Sequence, residues 1–225
     1  MSKKEVESLE YENEISKISF RVQSRNLLLI FTRNPELGKA KTRLAKTVGD
    51  ETALEIYKFL LQKTRDISSK VNVDKAVYYS VKIRKNDIWD ESIFQKHQQV
   101  GEDLGIRMLN AFKNGFDAGY QKVMIIGSDL YDLSSENIQK ALLELDSNDV
   151  VIGPALDGGY YLLGMNSLQE NIFKNKNWGT ETVRKDTLED LIDKKVKLLE
   201  VKNDIDVYED ILHIPEIMST FINSK

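Results

Sequence analysis

The run LLLIF at residues 27–31 is apolar at every position instead of at alternate ones. A strand of that kind needs cover on both faces, which places it inside a parallel sheet with helices above and below. KVMII (122–126) and VVIG (150–153) have the same character. Between these runs lie stretches with helical spacing. GDETALEIYKFLLQKTRDI has Asp50 as its expected N-cap and puts Leu54, Tyr57, Leu60 and Leu61 on one face. EDLGIRMLNAFKNGFDAG aligns Leu104, Met108, Phe112 and Phe116 and closes at Gly119, and SSENIQKALLEL is a capped helix with Ile138, Ala141, Leu142 and Leu145 inward. DKAVYYS (74–80) and VKLLEV (196–201) read as further strands, and DVVIGPALDGGYYLLGM as two short strands about a Gly-Gly turn. TETVRKDTLEDLIDKK reads as a helix, with Thr180 as its expected cap, and DVYEDILHIPEIMSTFI as a closing helical segment. Strand–helix alternation of this kind predicts an α/β fold with a mostly parallel sheet. Residues 1–25 are polar and irregular and are expected to be an extension, with a single domain over 26–225.

In sheets of this class ligands bind beyond the carboxyl ends of strands, and the polar motifs fall there. The chain carries 36 acidic and 32 basic side chains, a net charge of −4, so no general attraction to nucleic acid is expected. Yet Arg33, Lys39, Lys41, Arg43 and Lys46 crowd the stretch after the first strand against a single acid, Glu36. A phosphate held at such a place needs close backbone approach and cations. Gly38 supplies the room, Lys39, Lys41 and Arg43 the charge, and Thr42 a hydroxyl donor. Neither a Walker A loop nor a G-x-G-x-x-G pattern is present. A solvated basic loop would explain the same residues.

IIGSDLYDL (125–133) ends a strand in Gly-Ser-Asp, which exposes Asp129 to a hard divalent cation such as Mg2+ or Mn2+. The competing reading is a turn or helix cap, which suits Asp132 better. GPALDGGYYLLG (153–164) offers Asp157 beside Gly158 and Gly159; spacing alone favours a plain hairpin over a dedicated site, and a hairpin can present its own Asp. Asp204 and Asp206 in NDIDVYEDI lie beyond the strand at 196–201, where one of them can join the carboxylates, and Arg107 comes from the start of a helix. WGTETV places Gly179 ahead of a helix, and capping alone explains it. Neither of the two histidines, His97 and His213, has an Asp–Ser/Cys partner pattern, so triad hydrolysis is not expected, and the lack of cysteine excludes disulfides and thiolate metal sites. The charged start MSKKEVESLEYENEISK has no apolar core for a signal peptide, and no run approaches the ~20 apolar residues of a bilayer span. A cytoplasmic protein without a membrane span is expected.

The ensemble FTRNPELGKAKTRLA, GEDLGIRM, GSDLYDL, GPALDGGYYLLG, WGTETV and DIDVYEDI, in this order over residues 26–213, resembles a bacterial family of GT-A-like glycosyltransferases, some linked to arsenosugar biosynthesis. That family is related to nucleotidyltransferases that make molybdenum-cofactor dinucleotides and CMP-sugars. The resemblance implies a Rossmann-like three-layer α/β/α domain of the nucleotide-diphospho-sugar transferase type. It further implies a phosphate loop of Arg33, Gly38, Lys39, Lys41, Thr42 and Arg43, a metal held by Asp129, Asp157 and Asp206, nucleotide contacts from Gly158 and Gly159, and catalytic roles for Lys41, Asp129 and Asp157. Two positions depart from the family pattern: Tyr131 stands where relatives have proline, and Arg33 where they have lysine.

The expected activity is metal-dependent transfer from a nucleotide donor to a small-molecule acceptor, foremost glycosyl transfer from an NDP-sugar. The alternatives are nucleotidyl transfer with release of pyrophosphate, and a non-catalytic nucleotide-binding module. Neither the oligomeric state nor the acceptor follows from the residues. The segment 82–99 is the expected place for acceptor choice.

Overall fold

The computed structural model describes residues 19–223, so most of the expected N-terminal extension lies outside the described residues. What is described of it is bonded to the domain. Phe20 packs 4.9 Å from the His97 ring, and the backbone N–H groups of Gln23 and Ser24 donate to Asp74 Oδ2.

The elements run β1 (Asn26–Thr32), α1 (Thr42–Val48), α2 (Asp50–Ser69), β2 (Asp74–Tyr79), β3 (Phe94–Gln98), α3 (Leu104–Asp117), β4 (Lys122–Ile126), α4 (Ser135–Glu144), β5 (Val150–Pro154), β6 (Tyr160–Met165), α5 (Val183–Asp190), β7 (Val196–Leu198) and α6 (Tyr208–Ile211). They build one seven-stranded sheet in the order β3-β2-β1-β4-β6-β5-β7. Every pairing is parallel except those of β6, which runs antiparallel to both β4 and β5. The expected mostly parallel α/β sheet is what forms.

The continuous apolar strands explain the layering. Leu28 and Ile30 of β1 face a core shared with Tyr57 and Leu61 of α2 and Ile138 and Ala141 of α4. Leu27 and Leu29 face the other way, onto Met108, Ala111 and Phe112 of α3. All four β1 side chains are fully buried, each contributing roughly 2–3 kcal/mol of apolar transfer. A third cluster joins Leu44 of α1, Ala53, Ile56 and Leu60 of α2, and Ile205, Ile211 and Ile217. It fixes the loop before α6 against α1, which matters for the site.

Several boundaries differ from expectation. The stretch following β1 is not loop throughout: Thr42–Val48 is helical, because Leu44 buries into the third cluster. Asp50 lies inside α2, whose N-cap is Gly49 at φ 83°, a conformation that glycine adopts without steric cost. Leu104 opens α3 but is exposed, while Met108 and Phe112 are buried as expected. The cap of α5 is Thr182 and not Thr180: the Thr182 hydroxyl caps no backbone N–H and donates to Asp186 Oδ2 at 3.0 Å, while the Thr180 hydroxyl donates to the Asn177 carbonyl. β7 is shorter than the apolar run 196–201, and β3 lies inside the segment 82–99.

Candidate active site

Beyond β1 the chain turns at Gly38, at φ 70°, and enters α1 through Lys41. Lys41 is left-handed, φ 50° and ψ 47°, a region that costs a non-glycine residue about 1–2 kcal/mol. Its side chain is 7% exposed and runs to Asp129 Oδ2 at 2.8 Å. Burial alone lowers the ammonium's pKa, but the charge and hydrogen bond of Asp129, with Asp206 and Asp204 behind, hold it above the usual lysine value. It is therefore a buried, charged cation.

The loop's start and the tip of β4 are tied by one hydroxyl. Tyr57 Oη accepts from the Arg33 backbone N–H at 2.9 Å, and it lies 3.3 Å from both Thr32 Oγ1 and Ser128 Oγ. Asp129 follows Ser128 and is partly exposed. Its backbone carbonyl accepts from Ile205 N–H at 3.1 Å, and Leu130 forms an antiparallel bridge with Asp204. The NDIDV turn is shaped by Asp210, whose carboxylate takes the N–H groups of Asp206 and Val207 at 2.8 Å each, and the Asn203 amide at 2.7 Å. On this extended stretch Asp204 and Asp206 part company. Asp204 lines a cavity together with Asp129 and Asp157, while Asp206 bonds the Arg43 guanidinium at 2.8 Å. Burial, then the charges of Asp129 and Asp157, push the Asp204 carboxyl up to about 6.

Asp157 sits at the turn between β5 and β6, where its Oδ1 accepts from Gly159 N–H at 2.9 Å. Both readings of this motif hold: it is a hairpin, and it presents its carboxylate at the cavity. Gly158 is demanded by packing. At φ 90° its absent Cβ would lie 2.2 Å from the carbonyl oxygen of Glu181. The segment WGTET thus lies on the turn, locked by Arg184, whose N–H donates to the Gly158 carbonyl and whose guanidinium donates to the Ala155 carbonyl, both at 2.9 Å. Capping does not account for this segment; seating on the Gly-Gly turn does. Gly105 plays the matching part on α3, since a Cβ there would meet Trp178 Nε1 at 2.5 Å.

The resulting cavity holds about 220 Å3 between the carboxyl end of β4, the amino end of the antiparallel β6, the start of α3 and the WGTET segment. Phe31, Leu104, Met108, Trp178 and Val183 give it an apolar wall, and Asp129, Asp157 and Asp204 give it an acidic one. Hard oxygen donors of this sort fit Mg2+ or Mn2+, and their mutual repulsion is what a cation would relieve. Among the described residues no three acidic or imidazole groups already converge closely enough to hold an ion, and Asp129 is taken by Lys41.

Lys41, Asp129, Asp157 and Gly159 therefore lie together at one rim, with Arg43 and Asp206 paired beside it. Lys39 points to solvent, 75% exposed and paired with Glu36 at 2.9 Å. Thr42 is exposed in the first turn of α1. Arg33 faces a separate depression formed with Arg84, Lys85 and Trp89. Arg107 turns back to the Gly101 carbonyl at 2.9 Å and holds the loop before α3. Tyr131 packs on the closing segment. Its hydroxyl donates to Glu216 at 2.7 Å, and the Lys63 ammonium lies 4.2 Å from its ring centre, so it fastens the closing segment to α2. Sequence reasoning missed Tyr57, Arg184 and Trp178. Each looks like an ordinary core or helix residue until its neighbours are known.

A family model described as an uncharacterized protein conserved in bacteria (DUF2064) matches residues 61–180. No protein of curated function matches significantly. Among solved structures, the chain is 32% identical to a candidate nucleotide-diphospho-sugar transferase from Desulfovibrio desulfuricans G20, covering 86% of this chain and 90% of that one with a TM-score of 0.77. The fold is shared with 4-diphosphocytidyl-2C-methyl-D-erythritol synthase of Anaerococcus prevotii, at 13% identity, 87% and 96% coverage and a TM-score of 0.56. It is also shared with a cytidylyltransferase of Leptospira borgpetersenii, at 16% identity, 89% coverage of both chains and a TM-score of 0.53. With its own sheet, its strand-end carboxylates and these likenesses, the chain belongs to this bacterial family (DUF2064) and carries the nucleotide-diphospho-sugar transferase fold.

Proposed function

We propose that this protein is a metal-dependent transferase that draws on a nucleotide donor, and that the reaction is glycosyl transfer from an NDP-sugar to a small-molecule hydroxyl. The observation that carries the reading is the Lys41–Asp129 pair, which joins the cationic loop of β1 to the acidic cavity at the tips of β4 and β6. A diphosphate needs both: cations against its oxygens, and carboxylates to hold a divalent ion.

Asp129, Asp157 and Asp204 would hold Mg2+ or Mn2+, with Asp204 in place of Asp206 from the expected set, because Asp204 lines the cavity with the other two and Asp206 does not. Such an ion, when bound, supplies positive charge to the leaving diphosphate. Lys41 and Arg43 add charge from the loop, and the Tyr57 hydroxyl keeps that loop in register with Asp129. In the transfer, the sugar–phosphate C–O bond breaks as the acceptor oxygen bonds to the sugar carbon, and the hydroxyl proton passes to the acidic rim. Trp178 and Gly159 line the same cavity.

Nucleotidyl transfer is the second reading, favoured by the density of cations in the loop 33–46. The two differ in product. Incubating the protein with Mn2+, a panel of NDP-sugars and NTPs and a mixed acceptor pool is expected to release nucleoside diphosphate. Pyrophosphate release with no free nucleoside diphosphate would replace sugar transfer by nucleotidyl transfer. The third possibility, a module without chemistry, rested on Tyr131, and that side chain has a packing role away from the cavity.

A further inference from the structure

We propose that the acceptor carries an uncharged, largely apolar group into the cavity under Trp178, and not a phosphate; this rests on the transferase reading and names the second substrate of that site. The cavity of about 220 Å3 is large enough for a single ring, since benzene enters an apolar protein cavity of about 150 Å3. Its wall of Leu104, Met108, Phe31, Trp178 and Val183 rewards burial of an apolar body. Among the described residues no lysine, arginine or histidine lines it, and the acidic groups that do are Asp129, Asp157 and Asp204.

The cations nearby are already committed. Lys41 and Arg43, which pair with Asp129 and Asp206, are the two that the donor diphosphate takes, Lys39 pairs with Glu36 in solvent, and Arg184 donates to the Ala155 carbonyl. A donor diphosphate with its ion accounts for the acidic rim. A further phosphate on the acceptor would then be desolvated against an apolar wall with no cation to receive it, which is strongly unfavourable. Nucleotidyl transfer onto a phosphorylated acceptor requires that second phosphate; glycosyl transfer onto a hydroxyl does not. The lining of the cavity thus separates two reactions that the cationic loop and the carboxylates leave level.

The test compares benzyl alcohol with benzyl phosphate, the same ring with and without the charge, on the full-length protein with Mg2+ and UDP present. Binding is read from the fluorescence of Trp178 in a Trp89→Phe background and checked by saturation-transfer NMR on the unmutated protein. The alcohol is expected to bind at least tenfold more tightly than the phosphate. Leu104→Trp, at an exposed position on the cavity mouth and read by saturation-transfer NMR alone because it adds a second indole, is expected to weaken the alcohol at least fivefold. Equal or tighter binding of benzyl phosphate would overturn the proposal, as would indifference of the alcohol to Leu104→Trp. Displacement of the alcohol by free uridine or cytidine would also overturn it, because the cavity would then seat the nucleobase. Alcohol binding to a protein that takes up no nucleotide under any condition would uphold the cavity's preference and sink the transferase reading alone.

Discussion

Asp204 shows how a single carboxylate can be costly to the fold and useful to the site. Burial and the charges of Asp129 and Asp157 raise its folded pKa to about 6, above the ordinary aspartate value of 3.8. An acid shifted upward binds more protons folded than unfolded between those values, so its penalty is absent below about 4 and complete above about 6. Asp204→Asn is therefore expected to stabilise the protein by about 1 kcal/mol at pH 7 after allowance for solvent screening, and by nothing at pH 4. Urea titrations at the two pH values check this, and a variant less stable at pH 7 would refute it. The same variant is expected to lose Mn2+-dependent nucleotide binding. At Tyr57, replacement by phenylalanine leaves the Arg33 N–H without its partner and costs about 1–2 kcal/mol. Donor affinity should fall with it, because the loop loses its tie to Ser128. Asp129 was legible in the sequence because an apolar strand ended in front of it. Which of Asp204 and Asp206 turns inward was not, because residues two apart on an extended segment share a side, and these two are parted only by the turn that Asp210 anchors through its folded position.

Among the elements, the β5–β6 hairpin and the WGTET segment stand or fall together. Gly158→Ala must both adopt φ 90° and push a methyl group into the Glu181 backbone, for a combined cost of about 3 kcal/mol. A denaturation midpoint unchanged in Gly158→Ala would contradict that contact. Gly119→Ala is the comparison, being left-handed at φ 95° with open space around it, and should cost only the backbone strain of about 1 kcal/mol. The hairpin was legible from Asp-Gly-Gly; the surface it meets was not, because Glu181 contributes backbone and no characteristic side chain. Two elements escaped notice for different reasons. β3 has the unpatterned sequence FQKHQ because it is an edge strand paired only with β2, with one flank unconstrained by the sheet. α1 has a single fully buried apolar side chain, Leu44, so its helical character came from tertiary packing and not from periodicity.

On the scale of the whole molecule, the sheet's two covered faces were readable because runs such as LLLIF admit no exposed side. Its order and the reversal of β6 were not, since they depend on which edges meet. The far edge carries its own pH dependence. His97 of β3 is packed against Phe20 and Tyr78, and burial drives its pKa down to about 4 from 6.5. A base depressed in this way binds fewer protons folded than unfolded between those values. Its contribution is thus unaffected above pH 6.5, and the protein loses about 2 kcal/mol by pH 4. His97→Gln is expected to flatten that decline, measured as melting temperature against pH; an equal slope in both proteins would contradict it.

The central claim is that the loop cations and the strand-tip carboxylates act on one diphosphate. Calorimetry of the best NDP-sugar, with and without Mn2+, on the unmutated protein, Lys41→Met, Asp129→Asn and the double variant tests it most directly. The account predicts that each single change weakens metal-supported binding at least tenfold. It also predicts that the double change weakens binding by clearly less than the product of the two, because the residues share a ligand and each other. Metal-independent binding that neither substitution alters, or losses that simply multiply, would contradict it.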